Sequence, residues 1–214
     1  MKKLFLALLS TSLLLGCAGS RTSKTDDGWV RIFDGKTLTD WRAAENPATF
    51  TVQDGALVVF GERAHLFYEG PVGGHNFKNF EWKATLKTMP GANSGMFIHT
   101  AYQPTSWPLT GYEIQVNQTH GDPRKTGSVY AFQDVKETFV KDNEWYTQHI
   151  IVNDNTITVK VNDKVINEYT EPANAERTGE NANRKLSRGT IAIQGHDPKS
   201  KVLYKDILVK VLPD

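Results

Sequence analysis

The chain has 214 residues and a single cysteine, Cys17. No internal disulfide can form, and a zinc site built on cysteine pairs has no ligands. His-x-x-x-His spacing, a glycine-rich phosphate loop after a strand and a Gly-x-Ser-x-Gly elbow are all missing, which removes the usual signatures of zinc hydrolases, nucleotide binders and serine hydrolases. No charge of one sign prevails: the formal net charge is +1, and taking away Lys2 and Lys3 leaves −1. No field is therefore expected that would attract nucleic acid or an anionic surface. Amphipathic helical stripes, internal repeats and low-complexity tracts are lacking too, and aromatic residues hold an ordinary 10 % share.

The one long apolar run is N-terminal. Lys2-Lys3 form a basic start, and Leu4 to Leu15 an apolar stretch too short to span a bilayer as a mature helix. Leu14-Leu15-Gly16-Cys17 resembles the bacterial lipobox, whose cysteine becomes the lipidated N-terminus after cleavage. Residues 1–20 are therefore expected to be a lipoprotein signal peptide with its lipidation site at Cys17. Residues 21–28 follow as a polar tether and 29–214 as one domain. Acyl chains would hold that domain at a membrane without spanning it. By resemblance to the sorting rule, Ala18 rather than Asp after the cysteine points to the outer membrane, facing the periplasm.

From Trp29 onward the pattern is β. Expected strands are Trp29–Phe33, Thr49–Gln53, Ala56–Phe60, Phe77–Lys87, Gly95–Ala101, Gly111–Asn117, Ser128–Gln133, Tyr146–Val152, Thr156–Val161, Lys164–Tyr169, Gly189–Gln194 and Val202–Leu212. Asp54-Gly55, Asn153-Asp154-Asn155 and Asn162-Asp163 are tight-turn signals between them. Glu171 to Arg188 is polar, has no apolar stripe and reads as a loop or short surface helix. About a dozen strands at spacings near ten residues predict an all-β sandwich of two antiparallel sheets.

Gly111-Tyr112-Glu113-Ile114-Gln115-Val116-Asn117 stands out among these strands. Tyr112, Ile114 and Val116 fall on one face, and Glu113, Gln115 and Asn117 on the other. Carboxylate and amides in a row make a poor core surface but a good floor for a polar site. A retaining glycosidase on such a strand needs two carboxylates about 5 Å apart. Gln115 stands where a second acid would be required, so direct double displacement is disfavoured.

Several segments together resemble the 3-keto-disaccharide hydrolase domain family (DUF1080). They are Ile32-Phe33-Asp34-Gly35-Lys36-Thr37-Leu38-Thr39-Asp40-Trp41, Gln53-Asp54-Gly55-Ala56-Leu57-Val58, Asn79-Phe80-Glu81-Trp82, and Pro90-Gly91-Ala92-Asn93-Ser94-Gly95-Met96-Phe97-Ile98. Further on come Gly111-Tyr112-Glu113-Ile114-Gln115, Thr126-Gly127-Ser128-Val129-Tyr130, Glu144-Trp145-Tyr146, Val161-Asn162-Asp163 and Ile193-Gln194-Gly195-His196. The departures are His65-Leu66-Phe67-Tyr68 for Leu-x-Thr-Lys, and Tyr204-Lys205-Asp206 for Phe-Arg-Asn. Lys205 replaces a planar five-donor fork with a point charge.

The resemblance implies a concanavalin-like jelly-roll and cleavage of glycosides whose C3 hydroxyl a partner sugar 3-dehydrogenase has oxidised to a ketone. A C3 ketone acidifies the C2 proton, so one general base can start a β-elimination of the C1 substituent, with water adding afterwards. No cofactor is expected, and a divalent cation on the polar face stays open.

The candidate catalytic residues are Glu113, His196 and His99. Glu113 in the bland reading is a surface carboxylate or an ion-pair partner. His196 precedes Asp197-Pro198 at a strand end, where it is either a site residue or a turn stabiliser. His99, which shares parity with Phe97, is either an assistant or a histidine satisfied by backbone. Gln115, Gln194, Asn93, Lys205 and the loop residue Trp107 are candidate sugar contacts. Thr119 to Lys125 reads first as a solvated turn that could border the same mouth. Trp29, Trp41, Trp82 and Trp145 read as core. The alternative from another class is a non-catalytic carbohydrate-binding module of the cell envelope, which would show an open face with exposed tryptophan and no confined carboxylate. A structural lipoprotein would show no cleft.

Overall fold

The computed structural model describes Thr25 and residues 27–214; the expected signal peptide and lipidation site at Cys17 lie outside them. Thirteen strands follow in order: β1 Val30–Arg31, β2 Trp41–Ala44, β3 Phe50–Gln53, β4 Ala56–Phe60, β5 Ala64–Tyr68, β6 Phe80–Thr88 and β7 Asn93–Thr100. Then come β8 Tyr112–Asn117, β9 Tyr146–Asn153, β10 Thr156–Val161, β11 Lys164–Thr170, β12 Thr190–Gly195 and β13 Lys201–Val211. They form two antiparallel sheets. One runs β11-β10-β9-β6-β13-β4-β3, with β1 added on β13, and the other runs β2-β5-β12-β7-β8. This is the all-β sandwich of two antiparallel sheets that the strand pattern predicts, with the jelly-roll fold that the resemblance implies.

Alternation explains the larger sheet. On β6, Phe80, Trp82, Ala84 and Leu86 point inward and are fully buried, while Glu81, Lys83, Thr85 and Lys87 point outward. The smaller sheet contributes Leu66, Tyr68, Met96, Ile98, Tyr112, Ile114, Val116, Ile191 and Ile193 to the same core. Every residue of β5, β7, β8 and β12 is buried, because loops cover the outer face of this sheet as well. A small second apolar cluster of Ala44, Phe67, Phe97 and Ala192 lies under those loops.

Four expectations need correction. β2 and β5 are strands that the pattern did not signal, since β5 is apolar on both faces and has no alternation to read. Trp29–Phe33 shortens to the two residues of β1, and Ile32 and Phe33 turn into the core. Ser128–Gln133 is a turn: Val129 bridges Ile114 and Gln133 in isolation, and Ala131 has φ of 67°. Trp145 is 39 % exposed rather than core.

Candidate active site

Strand β8 presents its two faces as its sequence requires, with Tyr112, Ile114 and Val116 in the core and Glu113, Gln115 and Asn117 outward under the loops. On the neighbouring β7, Asn93 pairs with Asn117, Gly95 with Gln115 and Phe97 with Glu113. Gly95 leaves the gap into which the Glu113 side chain folds: a Cβ there would stand 2.4 Å from Glu113 Oε1. From β12, the Gln194 side chain donates its Nε2–H to Glu113 Oε1 at 2.9 Å. Three adjacent strands thus assemble a carboxylate and amides on one floor.

Over that floor lies a cavity of about 290 Å³, walled by Asn93, Gln115, Gln194 and Glu113 from the sheet and by Trp107, Tyr130, Glu180, Arg184 and His196 from loops and strand ends. Both polar atoms of the Gln115 amide, Oε1 of Gln194 and Oδ1 of Asn93 are buried without a partner. Leaving a buried polar group unpaired costs about 1–3 kcal/mol, so this many together mark a place built to receive a polar ligand. Glu113 is only 7 % exposed. Burial pushes its carboxyl up to about 7, against the pull of the Arg184 guanidinium and the Gln194 bond.

The loop residues are held as firmly as the floor. Arg184 donates from Nη2 to the carbonyl of Pro108 at 2.9 Å, and burial lowers its pKa while Glu113 opposes that shift. His196 donates Nδ1–H to Asp197 Oδ2 at 2.7 Å, where Ser200 Oγ also donates at 2.7 Å. Burial works against the Asp197 charge, but those bonds and the Lys199 amide outweigh it and hold the carboxyl at about 2. With Nδ1–H committed to an ionised partner, the free nitrogen of His196 is Nε2. The Trp107 ring lies 5.3 Å from His196 and 5.6 Å from His65, with Arg63 above it at 5.2 Å. Asn117 is a loop staple: its amide donates to the carbonyls of Asp122 and Arg124 and accepts from the His120 amide. That staple carries Thr119 to Lys125 to the cavity mouth, where His120 meets His196 at 5.5 Å.

His120, His196 and Asp197 place one potential ligand atom each within 4.8 Å of one another. Part of this set is already committed, while Nε2 of each histidine is not. His120 Nδ1 accepts the Asp122 amide, and Asp197 accepts from His196, Ser200 and Lys199. A cation held there would compete for Asp197 with the bonds it accepts from His196, Ser200 and Lys199.

Of the residues singled out from sequence, the cavity brings together Glu113, His196, Gln115, Gln194, Trp107 and Asn93. It does not include His99 or Lys205. His99 has φ of 51° in a bulge of β7, where the register to β12 shifts between Thr190 and Ala192. The extra residue breaks the alternation and turns the ring away from the Phe97 face, onto Phe80 at 5.7 Å. There Nε2–H donates to the Lys78 carbonyl at 2.8 Å and Nδ1 accepts the Ser187 amide, so both nitrogens are spent on backbone. Lys205 lies on β13 in the opposite sheet, 4.3 Å over the Trp145 ring. Sequence reasoning missed Arg184 and Glu180, which sit in the polar 171–188 segment and carry no periodic signal. It also missed Tyr130, which falls in a segment read as a strand.

Residues 28–210 match the family described as the 3-keto-alpha-glucoside-1,2-lyase-like domain. The chain belongs to that family. A curated relative, the 3-keto-disaccharide hydrolase of Bacteroides thetaiotaomicron, is 29 % identical over 171 residues, covering 67 % of this chain and 59 % of the relative. This chain therefore matches well under two thirds of that protein's length. A solved candidate glycosyl hydrolase from Parabacteroides distasonis shares the fold with a TM-score of 0.74 at 22 % identity, over 90 % of this chain and 99 % of the other. A second from the same organism has a TM-score of 0.66 at 24 % identity, over 86 % and 99 %.

Proposed function

We propose that the chain cleaves the C1–O bond of glycosides carrying a ketone at C3, by elimination and hydration, with Glu113 as the base. The observation that carries this reading is one confined carboxylate whose burial sets its pKa near 7. A base of that strength is both ionised in part at neutral pH and strong enough to remove a proton made acidic by a neighbouring ketone. Glu113 takes the C2 proton, and the electron pair becomes a C2–C3 enolate. Expulsion of the C1 substituent then forms the C1–C2 double bond and restores the C3 carbonyl. Water adds at C1 while a proton returns to C2, so the net change is hydrolysis. The substrate has to come from a sugar 3-dehydrogenase.

The walls suit the charges that move. The Arg184 guanidinium and the Gln115 amide, which has no partner of its own, are donors for the enolate oxygen. His196 is oriented by Asp197, and as an imidazolium balanced by that carboxylate it has an Nε2–H to pass to the leaving oxygen. The family's description names a 1,2-lyase, and the Bacteroides relative is named for hydrolysing 3-keto-disaccharides; both wordings support this route. Displacement at C1 is less well supported. Glu180 is a second carboxylate at the cavity, but it sits exposed on the single 3-10 turn Gly179–Asn181, and the charges acting most strongly on Glu113 are those of Arg184, Asp122 and Arg124. A binding module is disfavoured as well, because Glu113 is enclosed and Trp107 is clamped among His65, His196 and Arg63 instead of lying open.

The test is turnover of 3-keto-trehalose or a 3-keto-glucoside in D₂O. Elimination and hydration place deuterium at C2 of the released 3-keto-glucose, faster than that sugar exchanges in buffer. Glu113→Gln should slow release by about 10²–10⁴-fold. Release without deuterium would sink the elimination, and an unchanged rate in the variant would remove Glu113 from the role.

A further inference from the structure

The net charge hides a separation of charge. Lys83 and Lys87 on β6, Lys160 on β10, and Lys201, Lys205 and Lys210 on β13 all occupy outward positions of the larger sheet, on the side away from the Glu113 cavity. The acids on the same face are fewer, and all but Asp163, which lines a hollow with Lys83 and Lys160, are engaged. Glu81 meets His149 at 2.8 Å and Lys210 at 3.7 Å, Asp206 meets Arg31 at 2.8 Å, and Glu168 is bonded by Thr158. Among the described residues, Lys83, Lys87, Lys201 and Lys205 have no carboxylate partner. They lie over aromatic rings: Lys83 over Trp29 at 3.9 Å, Lys87 and Lys205 over Trp145 at 4.8 and 4.3 Å, and Lys201 over Phe60 at 5.7 Å. Trp145 is 39 % exposed and Phe60 is 50 % exposed.

We propose that this lysine-and-aromatic face of the larger sheet docks on an anionic lipid surface, so that the Glu113 cavity opens away from the membrane. Lysines attracted by anionic headgroups, with amphipathic rings that rest at the interface between headgroup and acyl chain, are the side chains such a surface recruits. The N-terminal segment emerges at the same face: a Cβ on Gly28 would stand 3.7 Å from Lys210, and the Trp29 ring packs on His149 at 5.4 Å. From Cys17 to Thr25 a fully extended chain reaches about 28 Å, which keeps an acyl-anchored domain close enough for its lysines to meet headgroups. The orientation rests on the reading of Cys17 as a lipidated residue; the charge complementarity does not.

The experiment reconstitutes the full, processed chain on vesicles of phosphatidylcholine with and without phosphatidylglycerol, and measures lysine acetylation by mass spectrometry. With phosphatidylglycerol, Lys87, Lys201 and Lys205 should label about fivefold more slowly than Lys136 and Lys185, in step with roughly 1 kcal/mol of attraction per lysine. The protection should vanish at high salt and in Lys87→Glu/Lys201→Glu, which keeps its activity. Retention on both vesicles with uniform labelling would overturn the docking face and leave the anchor standing. Retention and protection only with phosphatidylglycerol would support the face and overturn the anchor. Failure to bind either vesicle would overturn both, and protection without vesicles that grows with protein concentration would assign the face to a second copy instead.

Discussion

A Cβ on Gly95 would stand 2.4 Å from Oε1 of Glu113 and 2.8 Å from its Cγ. Glu113 lies across the neighbouring strand, with its carboxylate under Gln194, only because position 95 has no side chain. Alanine would fit the backbone, which is not in a left-handed conformation there, and would push the carboxylate out of place. Gly95→Ala should retain the sandwich by circular dichroism, lose about 1–3 kcal/mol of stability, and lose most of its turnover. Wild-type turnover in that variant would show that the position of Glu113 is not critical.

Burial of Glu113 opposes folding at high pH. Its carboxyl rises from the ordinary 4.5 to about 7 on folding. The folded chain therefore holds the proton more tightly, and stability falls as pH rises through that window, by about 3 kcal/mol in all. Glu113→Gln removes the charge but keeps an acceptor for Gln194. It should be more stable than wild type at pH 8, and the gap should close by pH 4, in urea denaturation at both values. A pH-independent difference would contradict the raised pKa. In wild type the same ionisation should make kcat/KM rise with pH through about 7.

Much of this site was readable from residues alone, where local alternation decides geometry. Ile114 and Val116 against Glu113, Gln115 and Asn117 define the two faces of β8, and the Asp54-Gly55 and Asn162-Asp163 turns mark hairpins. What escaped depended on the third dimension. The Gln194–Glu113 bond joins residues 81 apart in sequence across two strands. His99 followed the parity rule until a bulge broke it. Arg184 reaches the cavity from a segment whose composition matches any solvated loop. A formal charge near zero concealed the basic face, because a sum carries no information about where charges sit.

Acid should unfold the protein partly through His65. It is 1 % exposed, its Nε2 has no partner, and burial lowers its pKa from 6.5 to about 3. The unfolded chain binds the proton first, so stability is complete above 6.5 and is lost as pH falls towards 3, by on the order of 5 kcal/mol. His65→Leu should flatten the stability profile between those values, measured by thermal unfolding across the range. A profile as steep as that of wild type would place the acid lability elsewhere.

Arg184 lowers the Glu113 pKa more than any other charge or bond does, against the larger effect of burial. Arg184→Met should therefore move the midpoint of the pH–rate profile to higher pH, as well as slowing turnover through loss of the donor for the enolate oxygen. Lysine at the same position should restore the midpoint better than the rate, because it returns the charge without the fork. A slower variant with an unmoved midpoint would leave Arg184 a contact to substrate with no electrostatic hold on Glu113.

The link from Asp197 through His196 to the leaving group makes the substrate itself a probe. Asp197 accepts Nδ1–H of His196 at 2.7 Å, so loss of either residue should withdraw the proton offered by Nε2. General acid catalysis contributes about 10²–10⁴-fold when the leaving oxygen is basic, and little when it departs readily as an anion. His196→Gln should slow cleavage of 3-keto-trehalose strongly and that of a 3-keto nitrophenyl glucoside weakly. Asp197→Asn should follow the same order with smaller losses, since it acts only by holding the ring. Equal losses on both substrates would fit a His196 that shapes the wall of the cavity and transfers no proton.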